Sequence, residues 1–545
     1  MRWLVVLAAL ASCTGRTTAV GSVRFANAPA VERVDDRQDV PKPPRERAFR
    51  RYLHHFDSYY LRTVRGMELR PHQRALGISA LDEVPDSTWF TNRIGRRALS
   101  PEEIRRGPEP SDSPEHHLPW TIKSAKAGGT AIGFVAEDTR GVKFILKFDE
   151  PRLPEVETGA DAIVARLLWA TGYNVPADHV VYFTPDQLRV GKGAYRKVDG
   201  DKLPIDDAYV QQALAQVSHE PDGRIRGIAS TYIAGKPLGG TPRLGVRADD
   251  PNDLIPHELR RDQRGLAALC AWLAHTDIRE DNTLDSWQAD PKNPAIHYVV
   301  HYLVDFGNAL GADAAISNHL YIENQYEIDP AASLSTILTL GLSHRRWEDR
   351  RAPPIRGIGL YGTTGYAPGK WKPNTPAQLP VIWADRFDQF WGAKILIRFT
   401  RDQLAAAVDA ARYTDPRATA YMIDTLVARQ RRTAQHWFQQ VNPVDDFAID
   451  GDRLCFTDLA LRHQLEVRAT RFTLRVFDDA GRALAAPITA DPDASGRACA
   501  SIALAPGASH YTIVRIESSR GMPGTLVHVA TSATGQPRVI GIHRL

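Results

Sequence analysis

The feature that most constrains this chain is a change of pattern inside residues 259–310. Leu259, Leu266, Leu269, Cys270 and Leu273 recur at helical spacing and then stop at a polar cluster, His275-Thr276-Asp277-Ile278-Arg279-Glu280-Asp281-Asn282. Further on, a short strand over 301–304 runs into Asp305-Phe306-Gly307. A helix and a strand that each end on carboxylates read as two walls of one site.

Asp277, Asn282 and Asp305 are the residue types that phosphoryl transfer requires. That chemistry asks for a carboxylate to orient the attacking hydroxyl and for oxygen ligands that hold magnesium against the phosphates. Asp277 and Asn282 stand five apart, and the Asp305 tripeptide follows a strand. In these respects HTDIREDN resembles the protein-kinase loop HRDxxxxN, and Asp305-Phe306-Gly307 resembles its DFG. The resemblance implies that Asp277 orients the acceptor, that Asn282 and Asp305 hold magnesium or manganese, and that ATP is the donor. There are departures. The 22 residues between Asn282 and Asp305 exceed the protein-kinase spacing, Thr276 replaces the arginine, and no A-P-E follows. They point to an atypical branch, closer to HipA-type or secretory-pathway kinases.

Upstream, 121–123, 131–137 and 142–148 read as short strands with a hairpin turn at 138–141. The turn before the second strand holds Gly128 and Gly129, with Gly133 just after. A kinase places its glycine-rich loop there, although the spacing is not G-x-G-x-x-G and a plain hairpin turn explains the segment equally well. Lys147 is one lysine in the apolar stretch Phe144 to Phe148. A buried ammonium needs an anionic partner, and Lys147 resembles the lysine of the kinase third strand. Its partner is expected from the next helix, where Val156, Ala160, Ile163, Val164, Leu167 and Leu168 form an apolar stripe. Asp161 and, as second choice, Glu157 lie on one flank of that stripe, and Glu155 points away. Related families carry glutamate at the Asp161 position. Residues 226–233 read as a strand leading into a hinge at 234–240. His297 and His301 stand about 13 Å apart if 297–301 is a strand, so they form no zinc pair.

Met1-Arg2 precedes an apolar run, 3–11, too short to span a bilayer. It ends in Leu10-Ala11-Ser12-Cys13, which resembles the lipobox of bacterial lipoproteins, so that Cys13 is expected to carry the lipid. Thr14 is not aspartate, which by the same resemblance directs the chain to the outer membrane side of the cell envelope. Cys270 reads as a packed thiol. Cys455 and Cys499 are permitted to pair in an exported chain, and their spacing leaves the pairing open. The net charge of +4 is spread along the 545 residues and gives no reason to expect a nucleic-acid partner.

The expected fold class is α+β, a two-lobed protein-kinase-like core followed by an all-β immunoglobulin-like sandwich. The expected divisions are a signal peptide over 1–13, a tether over 14–45, a helical extension over 46–119, a small lobe and hinge over 120–240, a helical large lobe over 241–445 and the sandwich over 446–545. Within these, 46–65 has helical apolar spacing, 82–95 reads as a turn presenting Trp89 and Phe90 for packing, and 415–440 as a long helix. The chain after Leu310 reads as helical. From about 446 the apolar period becomes two, as at Phe472, Leu474 and Val476. Three functions fit: a phosphotransferase acting on a protein or small-molecule acceptor, a pseudokinase or envelope binding protein, and a nucleotidyl transferase using the same residues.

Overall fold

A computed structural model describes residues 20–61, 73–108, 112–126, 131–198, 201–376, 378–532 and 534–545. The signal segment, Cys13, Gly128 and Gly129 lie outside these residues. The fold is mixed α+β, with one seven-stranded mixed sheet and several smaller antiparallel sheets. It divides into two compact units, 32–77 with 84–437, and 1–31 with 78–83 and 438–545.

The larger unit is built on strands β1 (Trp120–Ala125), β2 (Gly133–Glu137), β3 (Lys143–Phe148), β4 (Asp178–Phe183), β5 (Leu188–Val198), β6 (Asp201–Pro204) and β7 (Ile225–Thr231). Their order is β4-β7-β3-β2-β1-β5-β6, antiparallel throughout except for β1 beside β5. Alternation along β3 turns Phe144, Leu146 and Phe148 into a core with Trp120, Phe134 and Phe183. Lys147 therefore faces the other side of the sheet.

The Val156–Thr171 helix follows β3 and is buried along nearly its whole length. It ends at Gly172, whose φ of 142° suits glycine alone, and where an added Cβ would lie 2.3 Å from the Phe90 ring. Phe90 and Trp89 are both buried, so the 82–95 segment is a packing element. A second sheet, β10 (His297–Leu303), β9 (Thr283–Ala289) and β8 (Lys236–Pro237), lies in the same unit, with β8 before and β9 and β10 after the fully buried Arg261–Leu273 helix.

Three expectations about this unit need correction. Residues 32–45 are no free tether. Thr88 donates its backbone N–H to Asp36 at 2.6 Å, Val40 donates to the His297 carbonyl at 2.6 Å, and Val40 is buried. The 46–65 helix starts later, running over Arg51–Phe56 and continuing as a π-helical turn over Asp57–Leu61, and 62–65 lie outside the described residues. After Ala312–Ser317 and Pro330–Leu338 the chain is largely irregular until Leu379, because prolines and glycines crowd 353–380 and interrupt helical hydrogen bonding. The Arg386–Leu396, Arg401–Asp409 and Pro416–Phe438 helices then form.

The smaller unit has two antiparallel sheets sharing one core. One sheet is β11 (Val444–Asp450), β12 (Arg453–Asp458) and β15 (Arg497–Ser501). The other, in the order β14-β13-β16-β17-β18, comprises β13 (Phe472–Asp478), β14 (Ile488–Ala490), β16 (Thr512–Ser518), β17 (Thr525–Thr531) and β18 (Pro537–Arg544). Phe456 of the first sheet meets Phe472 of the second, ring to ring at 5.0 Å. Cys455 and Cys499 are joined as a disulfide directly across β12 and β15. The bond links neighbours in one sheet, whereas in antibody domains it crosses between sheets. Residues 20–31 and 78–83 belong to this unit. The Phe25 ring fills the space over Gly541, and Ile542 donates its backbone N–H to the Ala80 carbonyl at 2.8 Å.

Candidate functional site

Lys147 sits between two carboxylates. Its Nζ lies 2.6 Å from Asp161 Oδ2 and 2.9 Å from Asp305 Oδ1. Asp161 is held in turn, accepting the backbone N–H of Phe306 through Oδ1 at 2.7 Å. Burial pushes the Lys147 ammonium down, but Asp161, Asp305 and Asp178 outweigh it and hold the lysine well above its ordinary range. The same ammonium, ahead of burial, keeps the Asp305 carboxyl below the usual carboxylate range. Asp305 is about half exposed at its side chain, whereas Asp161 is enclosed.

Glu157 lies near this cluster without bonding to the lysine. Burial, with Asp149 adding to it, pushes its carboxyl up to about 8. Glu155 is turned away to Arg356, 2.5 Å from its Nε. The structure thus brings Asp161, and not Glu157, to Lys147. The shorter side chain suffices because β3 and the helix approach closely.

Asp277 follows the helix C-terminus, where Ala274 takes left-handed backbone and releases the chain. Asn282 donates from Nδ2 to both the Asp277 carbonyl oxygen, at 2.6 Å, and Asp277 Oδ2, at 3.0 Å. Asn308 donates to the same Oδ2 at 3.0 Å, and Arg279 lies 3.2 Å from Oδ1. Val304 donates its backbone N–H to the Asn282 carbonyl at 3.0 Å, joining the two loops. Asp305 takes a φ of 63°. His275, beside Asp277 in sequence, is buried with its ring against Phe306, and burial pulls it down to about 4. It is therefore neutral at pH 7 and supplies no charge.

Gly133 pairs with Lys147 across β2 and β3, and a Cβ there would lie 2.5 Å from the Leu146 carbonyl oxygen. Its glycine is required by the approach of the strands. Lys126, which precedes the undescribed 127–130 segment, is pulled down by burial and interacts with Asp305 and Lys147. Asn308 and Lys126 were not singled out in the sequence. Asn308 stands directly after Asp305-Phe306-Gly307, and that position was its available signal.

The donor chemistry suits a hard cation. Magnesium binds oxygen ligands, commonly one or two carboxylates plus substrate phosphates and water. Both amide protons of Asn282 are engaged by Asp277, which leaves its Oδ1 as an acceptor, and Asp305 supplies the carboxylate. Among the described residues no group of three or more His, Cys, Asp or Glu side chains is placed to hold a metal. A cation held by this pair would need its remaining ligands from a bound substrate or water.

No family model matches the chain, and no curated protein matches it. Among solved structures the chain is similar to the Rio2 kinase–ADP/Mg2+–phosphoaspartate complex from Chaetomium thermophilum, at 13% identity over 57% of this chain and 72% of that one, with a TM-score of 0.20. A score that low carries no argument, so the functional reading rests on the side chains above.

Proposed function

We propose that this chain is a metal- and ATP-dependent phosphotransferase on a two-lobed, protein-kinase-like core, exported and anchored in the cell envelope through a lipid on Cys13, with an immunoglobulin-like sandwich as a spacer or binding module. The observation that carries the proposal is the placement of Lys147 on a sheet strand between Asp161 of the following helix and Asp305 of the Asp-Phe-Gly turn. Three antiparallel strands, a helix bearing the carboxylate partner of the lysine, and then the Asp277 and Asp305 loops follow the order of parts in a kinase.

In this reading Lys147 binds the donor phosphates, with Asp161 fixing its position. Asp305 and Asn282 Oδ1 hold magnesium or manganese. The metal supplies charge neutralisation of the phosphates. Asp277 Oδ1 and Oδ2, oriented by Asn282 and Asn308, accept a hydrogen bond from the acceptor hydroxyl and align it for attack. The acceptor is a protein or small molecule. Transfer of a nucleotidyl group would use the same residues with a different bond of the donor.

A second reading, a kinase-shaped envelope protein that binds without turnover, is favoured by one observation. Both key carboxylates are occupied, Asp305 by Lys147 and Asp277 by Asn282, Asn308 and Arg279.

The test is a thermal-shift titration with ATP and magnesium or manganese, beside Asp305→Asn. Ligand at 100 times its Kd stabilises by about 2.7 kcal/mol. A metal-dependent shift lost in the variant supports the site, and subsequent turnover separates the two readings. No shift with any nucleotide would overturn the proposal.

A further inference from the structure

Lys147 shares its face of the sheet with a second lysine. Ala125, the last residue of β1, pairs with Phe134, and both side chains pack with the Trp120 core. Side chains alternate along a strand, so Lys126, the next residue, faces the other side, as Lys147 does.

Gly133 places the two lysines together. The Lys126 backbone N–H donates to the Gly133 carbonyl at 2.9 Å, and Gly133 pairs with Lys147 across β2 and β3. Paired residues of antiparallel strands point to one face. A Cβ at Gly133 would lie 3.2 Å from Lys126 Cδ and 3.4 Å from Lys126 Cβ. The Lys126 stem therefore lies where a side chain at 133 would stand, directly beside the Lys147 position.

The charged groups next to Lys126 are those of the proposed site. Burial pulls its ammonium down, Asp305, Asp161 and Glu157 oppose that, and Lys147 adds to it. Glu157 and Asp178 are pushed up to about 8 by burial, so at pH 7 they are mostly protonated, and two carboxylates, Asp161 and Asp305, face two ammonium groups. With Asp305 taken by a divalent cation, Lys126 and Lys147 are left with Asp161. The surplus of positive charge then suits phosphate oxygens, which accept charge-assisted bonds from ammonium groups and complete the shell of magnesium. Lys123, earlier on β1, makes the contrast. Its side chain is 41% exposed, and its partner at 3.1 Å is Glu137, which no step of the proposed chemistry uses.

We infer that Lys126 is a second cationic anchor for the polyphosphate of a nucleotide donor, reaching it from the end of β1 while Lys147 reaches it from β3. The inference rests on the phosphotransferase reading of the same site and adds a specificity to it: ATP and ADP engage Lys126, and AMP does not.

The experiment is a calorimetric titration of the full chain with ATP, ADP, AMP and inorganic tripolyphosphate, each with magnesium, repeated on Lys126→Met and Lys126→Arg. Lys126→Met is expected to weaken ATP, ADP and tripolyphosphate by about tenfold or more, and to change AMP by less than about twofold. Lys126→Arg keeps a cation and is expected to stay within about threefold of the native chain for ATP. Unaltered ATP affinity in Lys126→Met would overturn the inference. So would an equal loss for ATP and AMP, which would mean that the substitution damages the site as a whole and not a phosphate contact. A native chain that binds ATP with no response to Lys126→Met leaves the phosphotransferase reading standing and removes only this role. A native chain that binds no nucleotide overturns both.

Discussion

Asn282 donates both of its amide protons to one residue, Asp277, reaching the backbone carbonyl at 2.6 Å and the carboxylate at 3.0 Å. The side chain closes the loop that carries Asp277 and at the same time aims its carboxylate. Asn282→Ala removes both bonds and leaves buried acceptors short of partners, at a cost of about 1–3 kcal/mol. Turnover is expected to fall by about 100-fold or more as the acceptor loses alignment. Urea unfolding and phosphotransfer assays, run on the same preparation, check the two effects.

Removing one partner of an enclosed ion pair strands the other. Asp161→Ala leaves Lys147 with the half-exposed Asp305 as its ion-pair partner and Asp178 farther off, and is expected to cost about 3–5 kcal/mol. The double variant Lys147→Met, Asp161→Leu removes both charges and is expected to lose less than the sum of the two single changes. Equal, additive losses in denaturant unfolding would show that the pair is not coupled.

Stability should fall as pH rises from about 6.5 to about 8; below that window His179, His275 and His528, each pulled down to about 4 by burial, work in the opposite sense. Burial raises Glu157 from 4.5 to about 8, and burial together with Asp161 raises Asp178 to about 8. Across that window the folded chain keeps protons that the unfolded chain has released, so the unfolding free energy decreases with pH. Asp305 works in the opposite sense, but its contribution is lost only below the ordinary carboxylate range. Glu157→Gln carries no titrating proton and is expected to flatten the slope between pH 6.5 and pH 8, measured as the shift in urea midpoint.

Gly172→Ala should destabilise the larger unit by about 1–3 kcal/mol, because the new methyl group meets Phe90 and the backbone is left-handed. Pairing it with Phe90→Leu relieves the clash and not the backbone conformation. Measured against Phe90→Leu alone, the cost of Gly172→Ala is therefore expected to shrink in part in thermal unfolding, and its complete disappearance would assign the whole cost to the ring.

What could be read from the sequence was set by distance along the chain. Asp277 and Asn282 share a loop, so their spacing alone brought them into reach. Lys147 and Asp161 were legible because a strand period of two and a helix period of 3.6 each fix a facing direction. Glu155 with Arg356, 201 positions apart, was not, since no local pattern encodes such a partner. The packing of 32–45 escaped for the same reason. Its composition is that of a tether, and its order comes from bonds to 88 and 297. The glycine at 133 stood out by type, but its cause, the carbonyl of Leu146, lies on another strand.

The backbone bond from Val304 to Asn282 carries the pairing of β10 with β9 one step past Leu303 and Thr283. It clamps the start of one loop to the end of the other, so the backbones that carry Asn282 and Asp305 keep one separation. Lys147 is held by Asp161 on one side, so its contact with Asp305 is the one that can be given up without stranding the ammonium. Under the proposed function, a cation would therefore compete with the lysine for the Asp305 carboxylate while the backbone around it stays in place.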